Sequence, residues 1–299
     1  HYPLRRQRQM CIRDRPPGAS SPRHFSRRAS VTAALNAFSA APGSAEREDQ
    51  PVVTPLDAGC TVLIVGATRG IGLELTKQAR FKGCSVIATH REPEAPSELL
   101  ALGVSCLRLD VTNADSIRGA SNELRSQGIT LTHIIHNAGI YGPKGSLDGV
   151  ARNGRPAAPP VKAEDMMHVF EVNSVGPLLV AQFFAPLFAA TDTVALPILA
   201  ILTSKVGSVD DNTSGGAYAY RASKAALNII AKSLYCDMRP DNICNVLLLH
   251  PGWVRTDMTN GNGLIDVNEC ASGLLRAIEA TGPKTPFRFV DYKAQLIPW

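Results

Sequence analysis

From Cys60 onward the chain alternates short, near-continuous apolar runs with longer stretches of helical periodicity, and this alternation narrows the possible folds more than any other feature. The apolar runs are TVLIV, SVIAT, VSCLRL, LTHIIH, LPILAILT and NVLLLH, with a last short one from Phe287 to Val290. Runs with no polar alternation belong to parallel strands covered by helices on both faces. The helical stretches between them cover roughly 70–82, 94–102, 113–127, 163–190, 217–238 and 267–281. Strand and helix in strict succession predict one doubly wound α/β domain with a mostly parallel, seven-stranded sheet.

A segment of different composition precedes this body. Residues 1–45 hold eight Arg, one Asp and no Lys, a balance of +7 against +5 for all 299 residues, so the other 254 sum to −2. A body of that charge is not a basic nucleic-acid-binding surface, and no nucleic-acid partner is expected. Residues 1–50 read as an Arg- and Ser-rich extension in which RHFSRRASVTAALNAFSAA could form an amphipathic helix, as in organelle transit peptides. That would direct the protein to a chloroplast or mitochondrion. The alternatives are a disordered extension, or vector or untranslated sequence, because HYPLRRQRQMCIRDRPP begins without Met and lacks an apolar pattern; a cytoplasmic protein is then expected. The domain proper is expected from 58 to 299.

The cysteines number seven, an odd set without a Cys-x-x-Cys spacing, which points to reduced, buried thiols. The longest apolar stretch, Val175 to Ala190, is broken by Gly176, Pro177, Gln182 and Pro186, so no membrane span is expected.

The first strand runs directly into GATRGIG, which puts Gly66, Gly70 and Gly72, with Thr68, Arg69 and Ile71 between them, at a helix start. Glycines there permit a tight turn and bring backbone N–H groups close to a pyrophosphate at the positive helix end. No Gly-Lys-Ser/Thr follows, so dinucleotide binding outranks ATP hydrolysis. The second strand ends Ala88-Thr89-His90-Arg91 without a carboxylate to receive a ribose 2′-hydroxyl, while Arg91 and Arg69 could neutralise a 2′-phosphate. NADP(H) is therefore favoured over NAD(H), although either Arg could equally be a solvated surface charge. Further on, AYAYRASKAALN places Tyr220 and Lys224 at i and i+4 on one helix face, where an ammonium would be expected to lower the phenol's pKa.

These motifs, with Asp110-Val111-Thr112 after the third strand, Asn137-Ala138-Gly139 after the fourth, Asn173 in the next helix and Ser204 after the fifth strand, resemble the short-chain dehydrogenase/reductase family from about residue 60 onward. The strings LTSKVGSVDDNTSGGAYAYRASKAALN, HPGWVRTDM and FVDYKAQLIPW are most similar to its carbonyl-reductase-like group, which includes the C-factor proteins. The resemblance implies a Rossmann fold, a homodimer or homotetramer, and an NADP(H)-dependent enzyme interconverting a small-molecule carbonyl and alcohol. It further implies Tyr220 as general acid and base, Lys224 as its partner at the nicotinamide ribose, Ser204 as donor to the substrate oxygen, and Asn173 as holder of a water serving Lys224. Asp110 and Val111 would meet the adenine end, Asn137 with Ala138 and Gly139 would support the cofactor, and Pro251, Gly252, Val254 and Thr256 would close over the nicotinamide end.

Several alternatives stay open at this level. Ser208 and Thr203 compete with Ser204, and Tyr218 reads as a packing or substrate-wall residue. None of the seven His forms a metal-like cluster, so no metal is expected. A regulatory protein of the C-factor type, binding NAD(P)H with incidental turnover, is the rival function. The substrate itself is unread, because its walls would lie in the loops 141–165 and 257–268.

Overall fold

The computed structural model describes residues 54–152, 154, 156–189 and 196–299. The basic extension, and the targeting expectation that rests on it, lie outside the described residues.

Seven parallel strands form one sheet in the order β3-β2-β1-β4-β5-β6-β7. They are β1 (Thr61–Val65), β2 (Ser85–His90), β3 (Ser105–Arg108), β4 (His133–His136), β5 (Ile198–Leu202), β6 (Asn245–His250) and β7 (Arg288–Asp291). The apolar runs become strands because each must be covered on both faces: Val62 and Ile64 point into one core, Leu63 and Val65 into the other. The first core is closed by α1 (Gly70–Phe81), the short α2 (Ser97–Ala101) and α7 (Val267–Glu279). The second is closed by α3 (Ala114–Ser126), α5 (Gly176–Phe184) and α6 (Tyr218–Met238). The strand order reverses between β1 and β4, whose residues Val62–Val65 pair with His133–His136, and a crevice opens beyond the carboxyl ends of strands at such a point.

Two expected helices change. The stretch 94–102 shortens to Ser97–Ala101, because Pro96 disfavours helical geometry at the residue before it. The stretch 163–190 divides into α4 (Ala163–Phe170), a π turn over Glu171–Val175, α5, and a 3-10 turn over Ala185–Leu187. Pro177 has no N–H to give to the carbonyl of Asn173 four residues back, and its ring would clash there, so the helix widens by a turn centred on Asn173. Phe188 then leaves the helix and bridges to Leu131. Among the described residues, no helix is long and apolar enough to cross a membrane.

Candidate active site

The glycine turn is held from both neighbouring strands. Gly66 N–H donates to Thr89 Oγ1 at 2.9 Å, and Asn137 Nδ2 donates to the Gly66 carbonyl at 2.7 Å. Two of the three glycines are demanded by packing. A Cβ on Gly66, whose φ is +81°, would lie 2.8 Å from Ala138 Cα, and one on Gly72 would lie 2.0 Å from the Gly66 oxygen. Helix α1 starts with no side-chain cap and no acid in its first turn, so its positive end stays uncompensated.

That helix end faces a cleft of about 570 Å³. Its walls are the glycine turn with Thr68, Arg69 and Ile71, the tip of β2 through Arg91 and Glu92, the segment Asp110–Thr112, the segment Asn137–Ile140, and Thr256 with its two successors. Gly72 packs behind the turn. Gly252 and Val254 are not brought to the cleft: a Cβ on Gly252 would meet the Tyr292 ring at 3.0 Å, and Val254 is buried in the first core; nor does Pro251 line it. At the cleft's far end, Asp110 accepts from Thr112 N and Oγ1 at 2.9 and 2.7 Å. Partial burial pushes its carboxyl up, but these bonds, with Arg91 and Arg108 nearby, hold it below the usual carboxylate range. The two candidate 2′-phosphate readers are engaged at the surface, Arg91 with Glu92 at 3.4 Å and Arg69 with Asp257 at 3.2 Å.

Tyr220 and Lys224, on the first turns of α6, lie between this cleft and a second, smaller cavity. Tyr220 forms part of the small cavity's wall, and Tyr141 leans on it with ring centroids 4.8 Å apart. Lys224 is buried, its Nζ 5.8 Å from the Tyr220 ring centroid, and a Cβ on Gly139 at the cleft wall would come within 3.6 Å of that nitrogen. The expectation that Lys224 lowers the phenol's pKa is corrected. Desolvation pushes Tyr220 up to about 12, the Ser204 hydroxyl pulling back and Tyr141 adding to the rise. Lys224 itself is pushed down to about 8 by burial, and its ammonium donates to the Leu202 carbonyl at 3.0 Å.

The three competing hydroxyls are now separated by their partners. Ser208 Oγ donates to the Trp299 carbonyl at 3.1 Å and accepts from Asp211 N–H at 3.1 Å; Thr203 Oγ1 donates to Asn228 at 2.7 Å. Ser204 Oγ accepts a long bond from Val206 N–H, at 3.4 Å, and is in hydrogen-bonding contact with the Tyr220 phenol. Asn173 is buried with its amide saturated: Nδ2 donates to the Ile140 carbonyl at 2.8 Å and to Ser223 Oγ at 3.0 Å, and Oδ1 accepts from Ile140 N–H at 2.8 Å. Its carbonyl is the group that Pro177 deprives of a helical donor.

Sequence reasoning missed three residues here. Thr89 anchors the glycine turn, Tyr141 stacks on Tyr220, and His136 lies buried near Lys224 with neither ring nitrogen hydrogen-bonded, its imidazole pushed down to about 3 by burial. Each stands at or just beyond a strand's carboxyl end, and that position was the available signal. Among the described residues, no three His, Cys, Asp or Glu side chains are placed to hold a metal.

Comparison with known proteins agrees with this geometry. The sequence model of short chain dehydrogenases matches residues 60–263. A 1-hydroxy-2-glutathionyl-2-methyl-3-butene dehydrogenase of Rhodococcus sp. is 33% identical over 246 residues, covering 80% of this chain and 99% of that protein. The C-signal protein of Myxococcus xanthus is 39% identical over 166 residues, covering 56% of this chain and 91% of its own length. Among solved structures, a carbonyl reductase from Pseudomonas aeruginosa in complex with NADP superimposes with a TM-score of 0.65 at 31% identity, covering 80% of this chain and all of that one.

Proposed function

The chain belongs to the short-chain dehydrogenase family of oxidoreductases, and from that premise we propose that it interconverts a carbonyl and an alcohol with NADP(H). The observation that carries the reading is the Tyr220–Lys224 pair, one member on the wall of the small cavity and the other reaching to Gly139 on the wall of the cleft.

The cleft fits a dinucleotide on its own features. The uncapped, acid-free start of α1 suits a pyrophosphate, β2 itself ends without a carboxylate and Glu92 just beyond it is paired with Arg91, and Arg69 and Arg91 on the cleft wall are the candidates to neutralise a 2′-phosphate. The NADP complex of the similar carbonyl reductase supports the same preference. When bound, NADPH supplies the hydride. Tyr220 would donate the proton that the developing alkoxide needs, and a phenol held near 12 is fully protonated at neutral pH, the form that carbonyl reduction consumes. Ser204 would hydrogen-bond the same oxygen, since its hydroxyl sits against the Tyr220 phenol and is otherwise held only by a long bond from Val206 N–H. Lys224, fixed by the Leu202 carbonyl, keeps N–H donors free for a ribose. Asn173 is a positioning residue: its amide clamps Ile140, and any water serving Lys224 would be held by its main-chain carbonyl.

The test is NADPH oxidation by the purified protein across aldehydes, ketones, quinones and dicarbonyls, beside Tyr220→Phe. Tyr220→Phe should keep dinucleotide affinity within about threefold and lose two or more orders of magnitude in turnover, as about 10²–10⁴-fold is typical for a general acid. A variant as active as wild type would sink the assignment. NADPH binding without turnover in the wild type would favour the regulatory reading, which the C-signal likeness supports.

A further inference from the structure

The inference rests on the reductase reading and concerns what else the carbonyl compound must carry. The small cavity, about 230 Å³, holds on the order of ten non-hydrogen atoms at ordinary packing density. One side is aromatic, formed by Tyr141, Tyr218 and Tyr220. The rest of the lining comes from the loop after β4 and the start of α4, and its charged residues are two lysines, Lys144 and Lys162, and one acid, Asp165.

Neither lysine has an ion-pair or hydrogen-bond partner among the described residues. This is a local peculiarity, since Arg152 in the same loop is paired with Asp148 through both guanidinium nitrogens. Asp165 lies three residues after Lys162 yet forms no ion pair with it, so the cavity carries an uncompensated balance of one positive charge. The body as a whole is negative, which means that a diffuse field does not supply the attraction; the two lysines do.

We propose that the substrate is a carbonyl compound bearing a carboxylate, its flat or apolar part lying against Tyr141 and Tyr218 and its carboxylate held by Lys144 and Lys162. Lysine suits this task because its ammonium is a mobile point charge that does not demand one fixed geometry. Both lysines are solvent-exposed, so each adds a modest factor and the attraction is screened by salt. The expected discrimination at low ionic strength is about tenfold in kcat/KM for a carboxylate over its methyl ester, shrinking as salt is raised.

The probes are 4-carboxybenzaldehyde and its methyl ester, turned over with NADPH by the full chain, by Lys144→Met/Lys162→Met and by Lys144→Glu/Lys162→Glu. The Met pair should erase the preference by slowing the acid alone and leave the ester within about twofold, and the Glu pair should reverse it. Equal rates on acid and ester in the wild type would overturn the proposal, as would a Met pair that slows both alike, which is the mark of a merely structural loop. Calorimetric binding of 4-carboxybenzyl alcohol and its methyl ester to the NADP⁺-bound protein needs no turnover. If nothing is reduced, the reductase reading fails on its own, and the binding decides the charge reading: tighter acid binding that the Met pair removes upholds it, equal binding ends it.

Discussion

The cleft and the small cavity lie on either side of Tyr220 and are built by opposite means. The cleft's walls are strand tips, a helix start and the atoms that lock them together: Gly66 clamped between Thr89 and Asn137, Gly72 against the Gly66 oxygen, Asn173 clamping Ile140. The small cavity's outer wall is a loop held mainly by Ser146, which bonds to Ala158, Pro159 and Val161, and whose lysines reach solvent. On one side the binding surface is the fold's own hydrogen-bonded frame. On the other it is a replaceable rim. Substitutions should therefore couple stability to binding in the cleft and uncouple them at the rim.

Gly72→Ala puts that contrast under the greatest strain. Its new Cβ would stand 2.0 Å from the Gly66 oxygen and 2.6 Å from Asn137 Nδ2, backbone and clamp at once. We expect dinucleotide affinity to fall at least 100-fold and stability by about 1–3 kcal/mol, as overpacking typically costs. Measured by NADPH fluorescence titration and urea unfolding, an affinity loss without a stability loss would break the claim that site and frame are one object.

Ser204 and Ser208 repeat the contrast within four residues. If Ser204 is the donor to the substrate oxygen, Ser204→Ala should cut turnover about 10–100-fold with stability nearly unchanged, because the only backbone bond it loses is the long one from Val206 N–H. Ser208→Ala should leave turnover alone and cost about 1 kcal/mol, having lost the bonds to Trp299 and Asp211. Exchanged outcomes would transfer the catalytic role to Ser208.

That pair also marks where the sequence stops being legible. The succession of strands and helices, both covered faces and the glycine turn follow from periodicity and from local steric demands, which the chain writes at short range. The choice between Ser204 and Ser208 depends on a carbonyl at Trp299, some ninety residues away, and no spacing rule reports it. The helical stretch from 163 was legible as helix, and Pro177 carried the hint of its break, but the resulting clamp of Asn173 on Ile140 is a tertiary fact. The PGWVRTD segment was legible as a strand end, yet packing turns Val254 into the core and leaves Thr256 at the cleft. The direction of the Tyr220 shift was misread because an i, i+4 spacing reports proximity to a cation and says nothing of desolvation, which prevails here.

Lys224 sits where the two regions meet, and its burial has a consequence for stability. Its ammonium drops from 10.5 to about 8 on folding, so between those values the unfolded chain holds a proton that the folded chain has released. The buried charge weighs on the fold in full below about pH 8, and stability climbs as pH rises through the window. Relative to Lys224→Met, the wild type should gain roughly 1–2 kcal/mol between pH 7.5 and 9.5 in urea unfolding. Tyr220, pushed up to about 12, opposes this only above pH 10. Parallel curves for the two proteins would mean that the ammonium keeps a compensating partner when buried.

The smallest effect belongs to the cleft's exposed edge, where the frame gives way to solvent-exposed side chains and the contrast blurs. Arg91 and Arg69 both stand at that edge, and each is tied to a carboxylate by a surface pair too weak to prevent its release. Arg91 follows the tip of β2 directly, the position from which a 2′-substituent is read in such sheets, whereas Arg69 stands at the uncapped start of α1, where a pyrophosphate would lie. Arg91→Ala should therefore weaken NADPH about fivefold and leave NADH within twofold, with stability unchanged, as measured by dissociation constants at two salt concentrations. Equal loss for both cofactors would return Arg91 to the solvated surface. Selective loss in Arg69→Ala instead would move the reading of the phosphate to the helix start, making even cofactor choice a property of the rigid frame.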